Sequence, residues 1–463
     1  MSDKKKIYKP KPISGYPEYL PAVRRVEQRW LDHIRRVFES YGFCNIETPA
    51  VEALDVIAAK GEDVDKEIYV LERLQADPEE KKEARLALHF DQTVPLARYV
   101  GQHFNGLTFP FKRYQMQKVW RGERPQAGRF REFTQCDIDV INVDALPLSF
   151  DAEMPAIVHE VLQGLDIPDF EIRISNRKIL IGFLKSLNIT DQEEITLVTR
   201  CLDKLEKVGE TEFLRPVIET IKDQKKVDLI VSCMGEYITI ARELMKVAAS
   251  DRKKALGLLP SYLQEQYPSC DIDQRLNEGI EELSFVMDQL SHLPNVVADL
   301  SIVRGLDYYT GTVYETVFVD DPSYGSICSG GRYDDLASSY INKKLPGVGI
   351  SIGFSRLFAK MIPSFEASKD FGRTSPADVL VILNSEEDRA LSAETAKVLR
   401  GRGMNVELYH APQKFQKQIS YAEKKGIPFI WMPPYRDTQH HEVKCLTSGA
   451  QMEADPNEWK PTK

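Results

Sequence analysis

Two runs of alternating polarity, residues 111–121 and 131–141, stand on either side of nine loop-like residues, Gly122 to Phe130. Side chains along a strand point to opposite faces in turn, so this alternation predicts two long paired strands. On the second run Phe133, Gln135, Asp137, Asp139 and Ile141 share a face; on the first, Gln115, Gln117, Val119 and Arg121 do. If those faces coincide, one side of the hairpin is a polar, charged patch. The opposite side, with Tyr114, Met116, Trp120, Ile138 and Val140, can pack on a core. A polar sheet face either meets solvent, as antiparallel hairpins commonly do, or floors a binding cleft. The loop favours the cleft. Arg121, Arg124, Arg129 and Arg131 bracket it, opposed only by Glu123 and Glu132, and a guanidinium fork matches phosphate oxygens in geometry.

The rest of the chain sets this hairpin in a multidomain α/β protein. Its 463 residues exceed one ordinary domain and predict about two to four. Leu20, Val23, Val26, Trp30, Ile34, Val37 and Phe38 recur at helical steps and predict a helix over 20–41, stopped by Gly42. Phe43 to Ile46 reads as a strand ending at Pro49, and Leu86 to Phe90 as another, followed by a helix through Leu96 and Tyr99. The highly charged stretch 72–85 reads as a loop insertion. From about 180 to 295 the pattern changes to amphipathic helices: Ile195 to Leu205, Val227 to Ala249 and Leu276 to Leu290. Strand alternation returns at 296–303 and 312–319. Ser329-Gly330-Gly331 is expected to lead into a helix, and Val348 to Ile362 to form another. Ser375-Pro376 marks a boundary. Beyond it strands (379–383, 406–409, 427–432) and helices (389–400, 415–425) alternate, which predicts a small domain with a mostly parallel sheet.

Other readings exclude function classes. No stretch approaches eighteen uninterrupted apolar residues, so no membrane-spanning helix is expected. Met1 to Ile13 is rich in Lys and Pro and lacks the apolar run of a secretory signal, so a cytoplasmic home is the default. Seven cysteines, at 44, 136, 201, 233, 270, 328 and 445, contain no Cys-x-x-Cys, which disfavours a disulfide framework or zinc knuckle. His440-His441 lacks the HExxH spacing, and no metal held by protein side chains is expected. The net charge of -9 reads as solubility and argues against a non-specific nucleic-acid binder. It leaves room for a shaped RNA met by local arginines.

Family resemblance sharpens this. The run Arg121-Gly-Glu-Arg124-Pro125 through Gly128-Arg129-Phe130-Arg131-Glu132-Phe133 resembles motif 2 of class II aminoacyl-tRNA synthetases, and Gln135-Cys-Asp-Ile-Asp139 looks like its histidyl version. Arg304-Gly-Leu-Asp-Tyr308-Tyr309-Thr-Gly311 resembles a segment characteristic of the histidyl-tRNA synthetase family, and Ser329-Gly-Gly-Arg332-Tyr333-Asp334 resembles a second. Taken without the family, the tyrosines are ordinary core residues with satisfied hydroxyls, and Arg304 a surface residue. Phe90-Asp91-Gln92-Thr93 resembles the segment that holds the histidine amino group. Gly347-Val-Gly349-Ile-Ser-Ile-Gly353-Phe-Ser-Arg356-Leu resembles motif 3, although alone it reads as an amphipathic helix with glycines at close contacts.

The resemblance implies an antiparallel-sheet class II catalytic core in two parts, 1–179 with motifs 1 and 2 and 296–370 with the histidine segments and motif 3. A helical insertion (180–295) and a C-terminal α/β anticodon-binding domain (376–463) complete it. Pro49 would end motif 1, the dimer-forming element, so a homodimer is expected. It also implies roles. Arg121 and Arg304 would meet the α-phosphate from opposite sides as the catalytic pair. Asp91, Thr93, Arg121, Gln135, Asp139, Arg304, Tyr308, Tyr309 and Tyr333 would bind histidine. Glu123, Arg129 and Arg356, with Arg121 and Arg304, would bind ATP. Arg124 and Gln126 would approach the tRNA acceptor end. Two departures stand out: Ile13-Ser-Gly15-Tyr-Pro-Glu18 matches the family's Gly-x-Arg-Asp pattern weakly, and 72–85 is longer than usual.

The implied chemistry suits these residues. Activation joins a carboxylate to the α-phosphate of ATP and expels pyrophosphate, so charge builds on phosphoryl oxygens between fixed cations. No protein nucleophile is required. Magnesium would arrive on the ATP phosphates, with no tightly bound cofactor. Asp139 and Tyr309 would each take one imidazole nitrogen, and sites of that kind discriminate by about 10,000-fold or more because an analogue leaves buried partners unpaired. Three other readings compete: a regulatory paralogue of histidine biosynthesis, a class II synthetase for another amino acid, and a non-catalytic tRNA-sensing module. Arg121, Arg304, Arg356 and the full final domain oppose the first, the 304–311 run the second, and the lack of a kinase signature the third.

Overall fold

The computed structural model describes residues 8–58, 67–72, 85–208, 214–247, 251–303, 309–335, 337–338, 340–367, 372–435 and 439–461. The chain forms two compact units, residues 1–17 with 33–360, and residues 18–32 with 361–463.

In the first unit the strands are β1 (Cys44–Asn45), β2 (Val51–Ala53), β3 (Val70–Leu71), β4 (Leu86–Leu88), β5 (Phe111–Trp120), β6 (Glu132–Ile141), β7 (Phe170–Asn176), β8 (Val296–Ala298), β9 (Thr312–Phe318), β10 (Cys328–Tyr333) and β11 (Gly347–Ile352). Eight of them make one sheet in the order β1-β5-β6-β11-β10-β9-β7-β8, and β2-β4-β3 make a small second sheet. Only the pairings at the two edges, β1 with β5 and β7 with β8, are parallel; the inner strands are antiparallel. The short loops and close returns of antiparallel pairs let one long hairpin, β5–β6, run through the middle of this sheet.

The predicted faces coincide. Gln115 is opposite Asp137, Gln117 opposite Gln135 and Val119 opposite Phe133. The opposite side carries buried Tyr114, Ile138 and Val140. Helix Ser149–Gln163 buries Met154, Ile157, Val158, Val161 and Leu162. Helices also fill the stretch after β7, from Arg177–Ser186 to Gln274–Gln289. The first and last of these lie backbone to backbone: a methyl group on Gly182 would stand 2.2 Å from the Leu276 nitrogen.

Two expectations are corrected, the glycine segment expected to lead into a helix and the helix from Val348. Ser329-Gly330-Gly331 lies inside strand β10, and Val348 to Ile352 belongs to β11, with the helix starting only at Phe354. Glycines there suggested loop and helix because strands normally need side chains to pack. Here another backbone occupies the space: a methyl on Gly330 would stand 2.1 Å from the Gly349 carbonyl oxygen. The helix over 20–41 forms as Pro21–Ser40, but Leu20 is 78% exposed and is no part of its core face. The charged stretch 73–84 lies outside the described residues.

In the second unit β12 (Val379–Val381), β13 (Val406–Leu408), β14 (Phe429–Met432), β15 (Glu442–Cys445) and β16 (Gln451–Glu453) form a sheet in the order β13-β12-β14-β15-β16. Its first two pairings are parallel and its last two antiparallel, so the mostly parallel sheet expected is a mixed one. The C-terminal hairpin was missed because β15 and β16 are short and largely polar. Helices Arg389–Gly401 and Phe415–Lys425 pack on this sheet about Leu380, Val381, Ala396, Leu399, Ala422 and Ile430.

Candidate active site

The polar face of β5–β6 is buried rather than solvated. Gln115 is fully buried, and Asp137 and Asp139 are each 5% exposed. Buried polar groups need partners, and the strands supply them in a chain. Gln115 Nε2 donates to Thr48 Oγ1 at 3.0 Å and to Gln117 Oε1 at 2.6 Å, and Gln117 Nε2 donates to the Thr48 carbonyl at 2.8 Å. Gln92, also fully buried, donates to the backbone oxygens of Gln117 (3.1 Å) and Gln135 (3.2 Å), so it ties the two strands together. Gln135 Nε2 donates to Ser351 Oγ at 2.7 Å.

At the far end of this face Asp139 is held from two sides. Its Oδ2 lies 2.5 Å from Arg113 Nη2, and its Oδ1 accepts the Tyr333 hydroxyl at 3.0 Å. Burial pushes the Asp139 carboxyl up, while Arg113 and Tyr333 pull it back. Burial likewise drives the Asp137 carboxyl up to about 7, against the attraction of Arg113. The glycines of β11 make the room. A methyl group on Gly347 would stand 2.3 Å from the Tyr333 ring, and one on Gly349 2.0 Å from Asp139 Oδ1. Tyr309 lies beside Gly331 of β10, where a methyl group would come within 2.8 Å of its ring. The structure thus brings together Asp139, Tyr333 and the β11 glycines, with Tyr309 against Gly331 of β10 and Gln135 further along the same face of β6.

Several polar atoms of this face have no hydrogen-bond partner: Gln92 Oε1, Gln135 Oε1 and Asp137 Oδ1. Leaving such atoms buried without partners costs free energy. Asp91 is 6% exposed, and its Oδ1 accepts the Val94 amide at 3.1 Å at the start of helix Thr93–His103. Thr93 opens that helix.

The arginines lie towards the hairpin's loop end. The Arg121 guanidinium stands 5.2 Å over the Phe133 ring, and its Nε donates to the Phe90 carbonyl at 3.1 Å. Arg129 and Glu123 pair with each other at 3.2 Å. Arg124 and Gln126 are exposed on the loop. Arg356 meets the loop: its guanidinium lies 5.1 Å from the Tyr324 ring, and a methyl group on Gly128 would stand 2.3 Å from the Tyr324 hydroxyl and 3.1 Å from Arg356 Cγ. The weakly matching segment near the N-terminus is docked here too, with the Gly15 carbonyl accepting the Arg131 amide at 2.8 Å. Arg304 and Tyr308 lie outside the described residues. Among the described residues no three or more His, Cys, Asp or Glu side chains gather as a metal site would.

A family model described as histidyl-tRNA synthetase matches residues 15–357, and one described as an anticodon binding domain matches residues 378–451. The chain belongs to the histidyl-tRNA synthetase family. A histidine–tRNA ligase of Thermobifida fusca (strain YX) is 55% identical to it, covering 98% of this chain and 99% of that one. A histidine–tRNA ligase of Micrococcus luteus is 45% identical, covering 97% and 96%. The crystal structure of histidyl-tRNA synthetase from Nostoc sp. PCC 7120 is similar with a TM-score of 0.79 and 39% identity, covering 97% of each chain. An ATP phosphoribosyltransferase regulatory subunit/histidyl-tRNA synthetase from Bacillus halodurans shares the fold at 19% identity, with a TM-score of 0.68 over 90% of this chain.

Sequence reasoning passed over Arg113, Gln92, Thr48, Ser351 and Tyr324. Arg113 carried a usable signal, since it continues the alternation two residues before Gln115. Thr48, Ser351 and Tyr324 carried none, because each reaches the site from a distant part of the chain: Thr48 from the loop after β1, Ser351 from β11 and Tyr324 from the turn Pro322–Tyr324.

Proposed function

We propose that the protein activates L-histidine with ATP to histidyl-adenylate and pyrophosphate, then transfers histidine to the 3′ end of histidine tRNA. Among the structural observations, the Asp139 carboxylate carries this reading. It is clamped by Arg113 and Tyr333 on a buried, partly unsatisfied polar face, as a reader of a ring N–H must be. Family membership and the histidine–tRNA ligases at 55% and 45% identity over nearly the full length support the same activity.

In this reading Asp139 and Tyr309 each meet one imidazole nitrogen, with Tyr308 and Tyr333 lining the pocket. Gln135, Asp91 and Thr93 meet the α-amino end. Arg121 and Arg304 hold the substrate carboxylate and the α-phosphate, where fixed cations stabilise the charge that builds in the transition state. Glu123, Arg129 and Arg356 bind ATP, which brings its own magnesium. Arg124 and Gln126, exposed on the hairpin loop, approach the acceptor end. Residues 1–179 and 296–370 form the catalytic core, 180–295 the insertion and 376–463 the anticodon-binding domain. The active form is a cytoplasmic homodimer; no helix among the described residues is long and apolar enough to cross a membrane.

The test is amino-acid-dependent exchange of labelled pyrophosphate into ATP. Exchange is expected with histidine and with none of the other protein amino acids; an amino acid other than histidine supporting it would overturn the reading. Arg121→Ala and Arg304→Ala should each lower exchange by roughly 100- to 1,000-fold at an unchanged melting temperature. Wild-type exchange in either variant removes that residue from the catalytic pair.

A further inference from the structure

We infer that Arg113 is a positioning residue for amino-acid selection: it fixes the Asp139 carboxylate in the orientation that accepts the imidazole N–H of histidine. This rests on the reading of Asp139 given above and adds to it a residue that touches no substrate. Arg113 is fully buried, and its Nη2 stands 2.5 Å from Asp139 Oδ2. Its contact with Gln115 is long, Nη1 to Oε1 at 3.5 Å, and its Nε has no hydrogen-bond partner. The guanidinium is therefore committed mainly to one carboxylate.

That commitment is not explained by stability. A buried ion pair recovers little more than its own desolvation cost, and an apolar pair of similar volume is often as stable. It is explained by geometry. With Oδ2 on Arg113 and Oδ1 on Tyr333, the carboxylate plane cannot turn. Each ionised oxygen still has a second lone-pair direction for a ligand. The surroundings make a cation necessary. Asp137 sits two residues away on the same face, at the next register position of the hairpin, and Asp91 also acts on both carboxylates. Arg113 is the cation that acts on both, directly bonded to Asp139 and on Asp137 through its charge alone. Without it Asp139 would be drawn towards its protonated form by burial and by its acidic neighbours. A protonated carboxyl that donates its hydrogen meets a ring N–H wrongly.

The test compares Arg113→Met, Arg113→Lys and Asp139→Asn in histidine-dependent pyrophosphate exchange, with KM for histidine and for ATP measured separately. Losing a hydrogen bond to a charged group predicts that Arg113→Met raises the histidine KM by about tenfold or more, with the ATP KM unchanged. Arg113→Lys, which keeps the charge but loses the fork, should give a smaller rise of about threefold. A histidine KM in Arg113→Met within twofold of wild type overturns the inference. So does a parallel loss in both KM values and kcat with a lowered melting temperature, which is the signature of a merely structural residue. If Arg113→Met does not fold, Arg113→Lys decides: an unchanged histidine KM overturns the inference. Asp139→Asn separates the two levels. If its histidine KM is unchanged, the imidazole reading of Asp139 itself fails. If it rises while the Arg113 variants stay normal, only the role of Arg113 fails.

Discussion

Asp139 and Gly349 face each other across the β6–β11 ladder, and a methyl group at position 349 would stand 2.0 Å from Asp139 Oδ1. Strand glycines of this kind are paid for in backbone entropy, and here the return is space for a carboxylate. Gly349→Ala must displace Asp139 or part the two strands. Overpacking of this sort costs about 1–3 kcal/mol in stability. The larger effect should fall on histidine-dependent exchange, whose kcat/KM is expected to drop by more than about tenfold because Asp139 can no longer keep both its partners. Exchange kinetics and thermal melting on the same preparation check this; a variant that melts lower but exchanges normally would detach Gly349 from the site.

Asp137 supplies a dependence on pH. Burial raises its folded carboxyl to about 7, from 3.8, so the folded protein holds that proton more tightly than the unfolded chain. Between those values the unfolded chain has lost the proton and the folded protein has not, so stability falls as pH rises through this window. Below about pH 4 both forms are protonated and the effect vanishes; above about 7 it is complete. Asp137→Asn keeps the shape and removes the charge. It should raise the melting temperature at pH 8 and leave it nearly unchanged at pH 4. A variant less stable than wild type at pH 8 would refute a net cost from this carboxylate.

Arg332 was legible only as part of a family segment, yet its contacts are structural. Its guanidinium grips the fully buried Asp151 with Nε at 3.0 and 3.1 Å and Nη2 at 2.7 Å. Tyr314 donates to the Asp151 carbonyl at 2.8 Å. Arg332→Ala leaves a buried carboxylate without its cation, which costs about 3–5 kcal/mol. Denaturant unfolding should show that loss, and Arg332→Ala with Asp151→Ala together should cost less than the sum of the two. Strict additivity would mean the pair is not coupled.

What the sequence made readable follows from how local each signal is. The polar face of β5–β6 was visible because alternation lies within one stretch of chain, while the register that joins the two faces is set by the strand pairing itself. The helices at Gln192–Val208, Gln224–Lys246 and Gln274–Gln289 were visible for the same reason. The strand nature of Cys328–Tyr333 and Gly347–Ile352 was hidden, since their glycines look like loop until Gly330 is known to lie against Gly349. Gln92 as a clamp between Gln117 and Gln135 was hidden too. Its function depends on which backbone oxygens are nearby, and no periodicity encodes that. Motif resemblance located Arg356 but not the tyrosine that holds it.

That tyrosine is Tyr324. Arg356 Nη2 donates to the Tyr324 carbonyl, the Tyr324 hydroxyl donates to the Arg356 carbonyl at 2.8 Å, and the guanidinium lies 5.1 Å from the ring centre. The ring therefore fixes both the helix turn that carries Arg356 and the height of its side chain. Gly128 of the hairpin loop, at φ +69°, packs against the same hydroxyl, so one aromatic side chain sets the spacing between the loop and Arg356. A guanidinium over an aromatic face gains about 0.5–2 kcal/mol, which corresponds to roughly 2- to 30-fold in an equilibrium constant. If Arg356 binds ATP, Tyr324→Ala should raise the ATP KM within that range and leave the histidine KM alone. Tyr324→Phe keeps the ring and loses only the hydroxyl, so its effect should be smaller. The decisive comparison is between the two substrates: a rise confined to histidine, or an unchanged ATP KM in Tyr324→Ala, would remove Arg356 from the nucleotide side of the site.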